Sequence, residues 1–401
     1  MSKVLVINVG SEGHVNPTIS LMNYLTQQGE DIVYYASEQF ADKLENTGVE
    51  VRTISTESIM TEFRAYGNEN LFQVINGLLR TADIIIPRLL SDIESEHYDY
   101  VIYDSMFSLG WCIAQHMDIP SISLYTSFAE SKATFDKKFN NMAKSLSEEE
   151  LNTVDEIFSE LKHHVESTYD VTIPSRYEVM YNPADLNISF MLKGFQPDLD
   201  LIPEDQFIFA GPSLRLNEKN LDVLDSIDES KPLIYISLGT VFNSNHVFFK
   251  QCVEAFTDLD VNVIMSVGHN NSIDDLGSLP DHFIVKNYVP QLAVLKKADL
   301  FLTHGGMNST NEALVYKVPM MAFPQGADQP FVSKQIEGLQ LGARMNSAET
   351  NAAAIKQEAT ALLNNLDLYK KNIQSINEQH PYTQPGYQVA AKAILDYVNK
   401  N

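Results

Sequence analysis

The stretch Thr303-His304-Gly305-Gly306-Met307-Asn308-Ser309-Thr310-Asn311-Glu312-Ala313 is the most chemically pointed feature of this 401-residue chain. It follows the apolar run Asp299-Leu300-Phe301-Leu302 and enters a helical pattern that closes on Val318-Pro319. A strand, a Gly-Gly turn and a helix opening with Asn and Ser make an anion site. The first N–H groups of a helix lack partners, and the positive end of its dipole faces the turn. Gly305 and Gly306 have no Cβ, so a phosphate can approach the backbone closely. His304, Asn308 and Ser309 add side-chain donors around the same point.

A second pair of residues has the chemistry of proton transfer. His14 lies in Gly10-Ser11-Glu12-Gly13-His14-Val15-Asn16-Pro17, and Asp104 directly follows the apolar run Tyr100–Tyr103. An imidazole oriented by a carboxylate is a general base: the Asp fixes the tautomer and stabilises the imidazolium. Two plainer readings stand beside this one, His14 as a helix-start histidine without chemistry and Asp104 as the cap of the next helix. No Ser, Cys or Thr in a strained strand-to-helix elbow accompanies them, which favours base catalysis on a bound hydroxyl over a covalent enzyme.

The elements that must hold these residues alternate between strands and helices. Lys3–Val9, Asp31–Ala36 and Val49–Ile54 read as strands, with helices Thr18–Gln28 and Gln39–Thr47 between them. Tyr100–Tyr103 and Ser121–Tyr125 are buried-strand candidates around the helix Leu109–His116, and Asn187–Met191 and Phe207–Ala210 close this half. Glu57 to Arg88 and Phe128 to Tyr169 are helical and rich in Phe, Met, Leu and Ile. A second series has strands Leu233–Ser237, Val261–Val267, Phe283–Lys286, Asp299–Thr303 and Met320–Phe323. Its helices are Phe248–Thr257, Gln291–Lys297, Ser309–Tyr316, Val332–Leu339, Ala352–Asn364 and Ala390–Lys400. Such alternation argues for α/β architecture with parallel sheets.

The boundaries expected from this are a first domain over 1–213, a polar linker over 214–231 and a second domain over 232–401, with the helix 388–400 able to pack back on the first domain. In open α/β sheets ligands bind beyond the carboxyl ends of the strands. There stand His14, Asp104, Leu238-Gly239-Thr240, His304-Gly305-Gly306 and Pro324-Gln325-Gly326-Ala327-Asp328-Gln329. A ligand bridging an interdomain cleft would touch them all.

Composition narrows the partners. Net charge is −25, with 28 basic against 53 acidic residues, so a phosphate-tracking basic face and a nucleic-acid partner are not expected. An anionic substrate must then be held by local donors rather than by a general positive field. No apolar run reaches the length of a membrane span, and the start Met1-Ser2-Lys3-Val4-Leu5-Val6-Ile7 enters a strand with no signal-peptide pattern. Cys112 and Cys252 both lie in apolar helical contexts, so buried free thiols and a cytoplasmic location are expected.

Other patterns carry less. Asp198-Leu199-Asp200 and Asp258-Leu259-Asp260 have a metal-ligand spacing but follow no buried strand, and His163-His164 reads as a solvated helix face. No phosphate-binding lysine loop and no Gly-x-Gly-x-x-Gly fingerprint is present, which removes the best sequence support for ATP hydrolysis and nicotinamide chemistry.

Taken together, several motifs resemble a known family. Asn287-Tyr288-Val289-Pro290-Gln291, the His304 to Ala313 stretch, Val318-Pro319 and Ala327-Asp328-Gln329 resemble the donor signature of the UDP-glycosyltransferases. Gly13-His14-Val15-Asn16-Pro17 is similar to the start of the bacterial macrolide and flavonoid glycosyltransferase branch. The resemblance implies the GT-B fold, two Rossmann-like domains facing across a cleft, with the nucleotide-sugar donor in the carboxy-terminal one.

By position it implies that Gln291 contacts the uracil, Val289 belongs to the same set, and Tyr288 stands where many relatives stack a Trp. It implies that Glu312 holds the ribose hydroxyls. Thr240, His304, Asn308 and Ser309 would hold the diphosphate, with backbone N–H groups near Gly306 and Met307, and Gly239 belongs to the donor-binding set. Asp328 and Gln329 would bind the sugar, and His14 would be the base with Asp104 its partner. Tyr288 is a smaller ring than Trp and leaves the choice between uridine and thymidine diphosphate sugars open.

The activity implied is an inverting, metal-independent hexose transfer, of glucose first, from a UDP-sugar to a hydroxyl of an apolar acceptor such as a polyphenol or macrolide. The UDP-sugar is a co-substrate, and neither a cofactor nor a metal is expected. Phe63, Phe72, Phe107 and Phe128 are the candidate acceptor lining, with simple core the plainer reading of each. Two rivals are a GT-B nucleotide-sugar epimerase, which needs extra carboxylates at the anomeric centre, and a non-catalytic nucleotide-sugar-binding protein, which has no need of the His14–Asp104 pair.

Overall fold

Val4, Leu5, Val6 and Ile7 are fully buried, so side chains on both faces of this strand are covered. That is the condition of a central parallel strand, and it explains the unbroken apolar run. The computed structural model of the protein describes residues 2–65, 67, 70–106, 109–214, 222–239, 244–346 and 350–400. The chain forms two units. The first holds Met1–Met191, Gln196–Ser213 and Gln384–Asn401; the second holds Leu192–Phe195 and Leu214–Thr383.

The first unit is built on seven parallel strands: β1 (Lys3–Asn8), β2 (Asp31–Ser37), β3 (Glu50–Ile54), β4 (Tyr100–Asp104), β5 (Ser121–Tyr125), β6 (Leu186–Ser189) and β7 (Phe207–Phe209). Their order is β3-β2-β1-β4-β5-β6-β7. One face carries Leu5, Ile7, Val101 and Tyr103 against the helices Leu71–Arg80 and Ala82–Ile93. The other carries Val4, Val6, Ile122 and Ile188 against the helices Glu12–Gln27 and Gly386–Val398. Gly386 fits because a Cβ there would lie 1.9 Å from the Gly211 carbonyl oxygen.

The second unit repeats the plan with β8 (Leu233–Ser237), β9 (Asn262–Ser266), β10 (Phe283–Lys286), β11 (Leu300–Thr303), β12 (Met320–Ala322) and β13 (Gly342–Arg344). The order is β10-β9-β8-β11-β12-β13, again parallel. Each unit is thus a Rossmann-like α/β layer structure. In each, strand order reverses beside the first strand, between β1 and β4 and between β8 and β11, the place where such sheets bind ligands.

Several expected boundaries shift for physical reasons. The first helix begins at Glu12 rather than Thr18, with Pro17 inside it. Proline fixes a helix-compatible φ, and at this sixth position it leaves the helix without one i to i−4 hydrogen bond. Phe128 precedes the helix Lys132–Ala143 instead of lying within it. The strand Gly342–Arg344 and the helix Leu366–Gln379 are additions that the apolar pattern did not mark. No helix among the described residues is long and apolar enough to cross a membrane.

Candidate functional site

In the first unit the site begins at the end of β1. Asn8 ties the turn together: its Nδ2 donates to the His14 carbonyl at 3.1 Å, and its Oδ1 accepts from Gly10 N at 3.2 Å. Gly10 is required by this close packing, since a Cβ there would sit 2.7 Å from His14 Cβ. The helix Glu12–Gln27 therefore presents His14 on its first turn, with the His14 N–H donating to Ser11 O at 2.9 Å.

His14 Nδ1 lies 2.8 Å from Asp104 Oδ2 and 3.1 Å from Thr126 Oγ1. The Asp104 side chain is 0% exposed, and its Oδ1 accepts from Met106 N at 2.9 Å. A carboxylate only accepts, so this geometry puts the ring proton on Nδ1 and the basic lone pair on Nε2. The Tyr34 hydroxyl, hydrogen-bonded to Thr18 at 2.8 Å, is held well above its ordinary pKa by burial, and the charge of Asp104 adds to the shift. It stays protonated beside the pair.

Thr126 was not singled out in the sequence, although it ends the strand that Ser121–Tyr125 marked. The tract after it holds Phe128, which is half-buried. Phe63 and Phe72 are 6% and 1% exposed. Phe72 packs on Phe139 with ring centroids 4.2 Å apart. Both rings are packed in the helical layer, as the plainer core reading of these positions has it. Phe107 lies outside the described residues.

In the second unit, β11 ends at Thr303 and the chain turns through His304, Gly305 (φ +77°) and Gly306 into the helix Met307–Val315. His304 occupies a slot cut by two glycines. A Cβ on Gly239 would lie 2.6 Å from its Cε1, and one on Gly306 would lie 2.3 Å from its Nε2. Its Nδ1 is buried without a hydrogen-bond partner among the described residues. Burial pushes its pKa down to about 4, so the ring is neutral near pH 7. Asn308 and Ser309 sit half-buried on the first turn of the helix, and Met307 is buried.

Glu312 follows on the same helix, and Gln291 opens the helix Gln291–Leu295. Gln291 Nε2 donates to Glu312 Oε2 at 2.6 Å and to Ser309 Oγ at 3.1 Å, so the structure brings these three expected residues together. Val289 is buried, while Tyr288 is 63% exposed. Asp328 is half-buried at the start of the helix Gln329–Gly338, after Ala327 at φ +54°. The Gln329 carboxamide oxygen accepts from Gln325 N at 2.8 Å and Gly326 N at 3.2 Å, closing its own loop. Thr240 lies outside the described residues.

Among the described residues no group of three or more His, Cys, Asp or Glu side chains is placed to hold a metal ion. Cys112 and Cys252 are free and buried, and burial raises both thiols well above their ordinary pKa.

Residues 4–104 match the family model described as the glycosyltransferase family 28 N-terminal domain. Residues 250–394 match the erythromycin biosynthesis protein CIII-like C-terminal domain. The chain is 32% identical to the uncharacterized UDP-glucosyltransferase YojK of Bacillus subtilis, over 100% of this chain and 98% of that one. It is also 32% identical to the NDP-glycosyltransferase YjiC of Bacillus subtilis, over 92% of each. Among solved structures, the glycotransferase of kitacinnamycin superposes with a TM-score of 0.85 at 23% identity, covering 99% of both chains.

Proposed function

Because the chain belongs to the UDP-glycosyltransferase family of GT-B fold, we propose that it transfers a hexose, glucose first, from a UDP-sugar to a hydroxyl of an apolar small molecule. The observation that carries this reading is the His14–Asp104 pair, with Nδ1 and Oδ2 2.8 Å apart at the ends of β1 and β4. In the proposed reaction Nε2 of His14 takes the proton of the acceptor hydroxyl. The acceptor oxygen forms a bond to the anomeric carbon as the bond from that carbon to the diphosphate oxygen breaks. Configuration inverts, and Asp104 stabilises the imidazolium that results.

The departing diphosphate carries its negative charge toward the start of the helix Met307–Val315. In this reading Gly306 and Met307 offer backbone N–H groups there, Asn308, Ser309 and His304 add side-chain donors, Thr240 is assigned to the same set by the family resemblance, and Gly239 belongs to the donor side. Such preorganised donors do the work a metal does elsewhere, and we propose that no metal and no cofactor are needed. Tyr288, Val289 and Gln291 take the base, Glu312 the ribose, and Asp328 and Gln329 the sugar hydroxyls. The exposed Tyr288 supports stacking on the base. UDP-glucosyltransferase and NDP-glycosyltransferase relatives support a nucleoside-diphosphate donor, with uridine the first choice.

A macrolide acceptor is supported by the erythromycin-type family model, and a polyphenol is kept beside it as the other apolar acceptor of the proposal. Among the described residues of the expected lining, Phe128 is the half-buried aromatic. Two buried free thiols fit a reducing compartment, the cytoplasm. Single displacement is tested by the anomeric configuration of the product: an α-linked donor must give a β-glycoside, read by NMR, and an α product would discard the mechanism.

A further inference from the structure

Tyr235 lies in β8 and is 1% exposed. It stands in register with Phe301 of β11, and the two rings stack with centroids 4.8 Å apart and planes at 12°. Burial and stacking fix where the phenol points. Its hydroxyl donates to Gln291 Oε1 at 3.2 Å. On its other side the same carboxamide donates through Nε2 to Glu312 Oε2 at 2.6 Å. A carboxylate cannot donate, so the NH2 must face Glu312 and the carbonyl must face Tyr235. The hydroxyl is the donor that this orientation calls for.

We propose that Tyr235 is a positioning residue for ribose recognition: it fixes the Gln291 carboxamide, which in turn holds the Glu312 carboxylate in place for the ribose hydroxyls. The inference rests on the reading of Glu312 as the ribose-binding residue. Tyr235 touches no substrate in this scheme and acts through two side chains. Replacing it by Phe keeps the ring and its stack on Phe301 while removing one oxygen. The terminal torsion of Gln291 is intrinsically broad, so without that donor the carboxamide is held only by its Nε2 bonds to Glu312 and Ser309, and the carboxylate is less firmly oriented.

The test is calorimetric binding of UDP and of 2′-deoxy-UDP to the full chain, for wild type, Tyr235→Phe and Glu312→Ala, with melting curves as a check on folding. Wild type is expected to bind UDP more tightly than the deoxy analogue, and Glu312→Ala to erase that preference. Tyr235→Phe should weaken UDP about three- to tenfold, the range one hydrogen bond contributes. It should weaken 2′-deoxy-UDP less than UDP, through the base contact of Gln291 alone, and in turnover raise the donor KM while kcat holds.

If Glu312→Ala erases the preference but Tyr235→Phe retains it, the positioning role is overturned and the ribose reading survives. Equal weakening of both nucleotides by Tyr235→Phe also overturns it, by showing general damage. If Glu312→Ala leaves the preference intact, or wild type has none, the ribose reading fails and the inference falls with it.

Discussion

His14 and Asp104 are separated by 90 positions in the chain and by 2.8 Å in the fold, Nδ1 to Oδ2. The strand order explains the meeting: β1 and β4 are neighbours, with Ile7 opposite Tyr103, so the residues beyond their ends converge. The carboxylate is fully buried and the imidazole is partly exposed. That gradient suits a base whose partner is structural and whose working nitrogen must reach a substrate.

Asp104→Asn keeps the size of the side chain and removes its charge. The amide can then offer its NH2 to the ring and stabilise the wrong tautomer. Transfer should slow by roughly 10²–10⁴, the range of a general base's contribution. UDP affinity, measured by calorimetry, should be unchanged, because the proposed donor residues belong to the other unit.

Thr126→Val removes the second contact to His14 Nδ1, at 3.1 Å. One neutral hydrogen bond is worth about 0.5–1.5 kcal/mol, so kcat should fall by a few-fold to about tenfold. A loss as large as that of Asp104→Asn would mean that Thr126 and not the carboxylate orients the ring.

Much of this arrangement is legible in the sequence because buried parallel strands are apolar runs. Leu233–Ser237 and Phe283–Lys286 read with the bounds they have in the fold. The strand Gly342–Arg344 escapes the same reading because three residues led by Gly carry no apolar signal. What selects Gly342 is the neighbouring strand, since a Cβ there would lie 1.8 Å from the Met320 carbonyl oxygen. Thr126 and Tyr235 escape for another reason. A strand end can be marked locally, but the partner that gives it meaning lies 112 positions away for Thr126 and 56 for Tyr235. The first helix begins at Glu12, ahead of the expected Thr18, with the Val15 N–H already donating to Ser11 O at 3.1 Å.

Gly306→Ala is expected to damage the donor site without unfolding the unit. The backbone at Gly306 has φ −67°, which Ala adopts freely, but the new Cβ would meet His304 Nε2 at 2.3 Å. The ring must leave its slot. UDP binding should weaken by about tenfold or more, on the order of 1.4 kcal/mol, while the melting temperature changes little. Unchanged affinity would remove His304 from the diphosphate site.

His304 also links stability to pH. Burial holds its folded pKa at about 4, against the 6.5 of an ordinary histidine. The unfolded chain takes up the proton first, so this stability is present above pH 6.5 and drains away as pH falls toward 4. Between pH 7 and pH 5 the loss is about 2 kcal/mol. Urea unfolding at the two pH values should show a smaller loss for His304→Gln than for wild type. An equal loss in both would show that His304 is not the group responsible.

The central claim is that His14 is the base of a metal-independent hexose transfer, and mass spectrometry of one reaction tests it most directly. The protein is incubated with UDP-glucose, a chelator and a pool of phenolic and macrolide acceptors, beside His14→Ala. Acceptors gaining the mass of one hexose with wild type, and none with a variant that still binds UDP, is the predicted result. Transfer by His14→Ala at the wild-type rate, or transfer that the chelator abolishes, would contradict it.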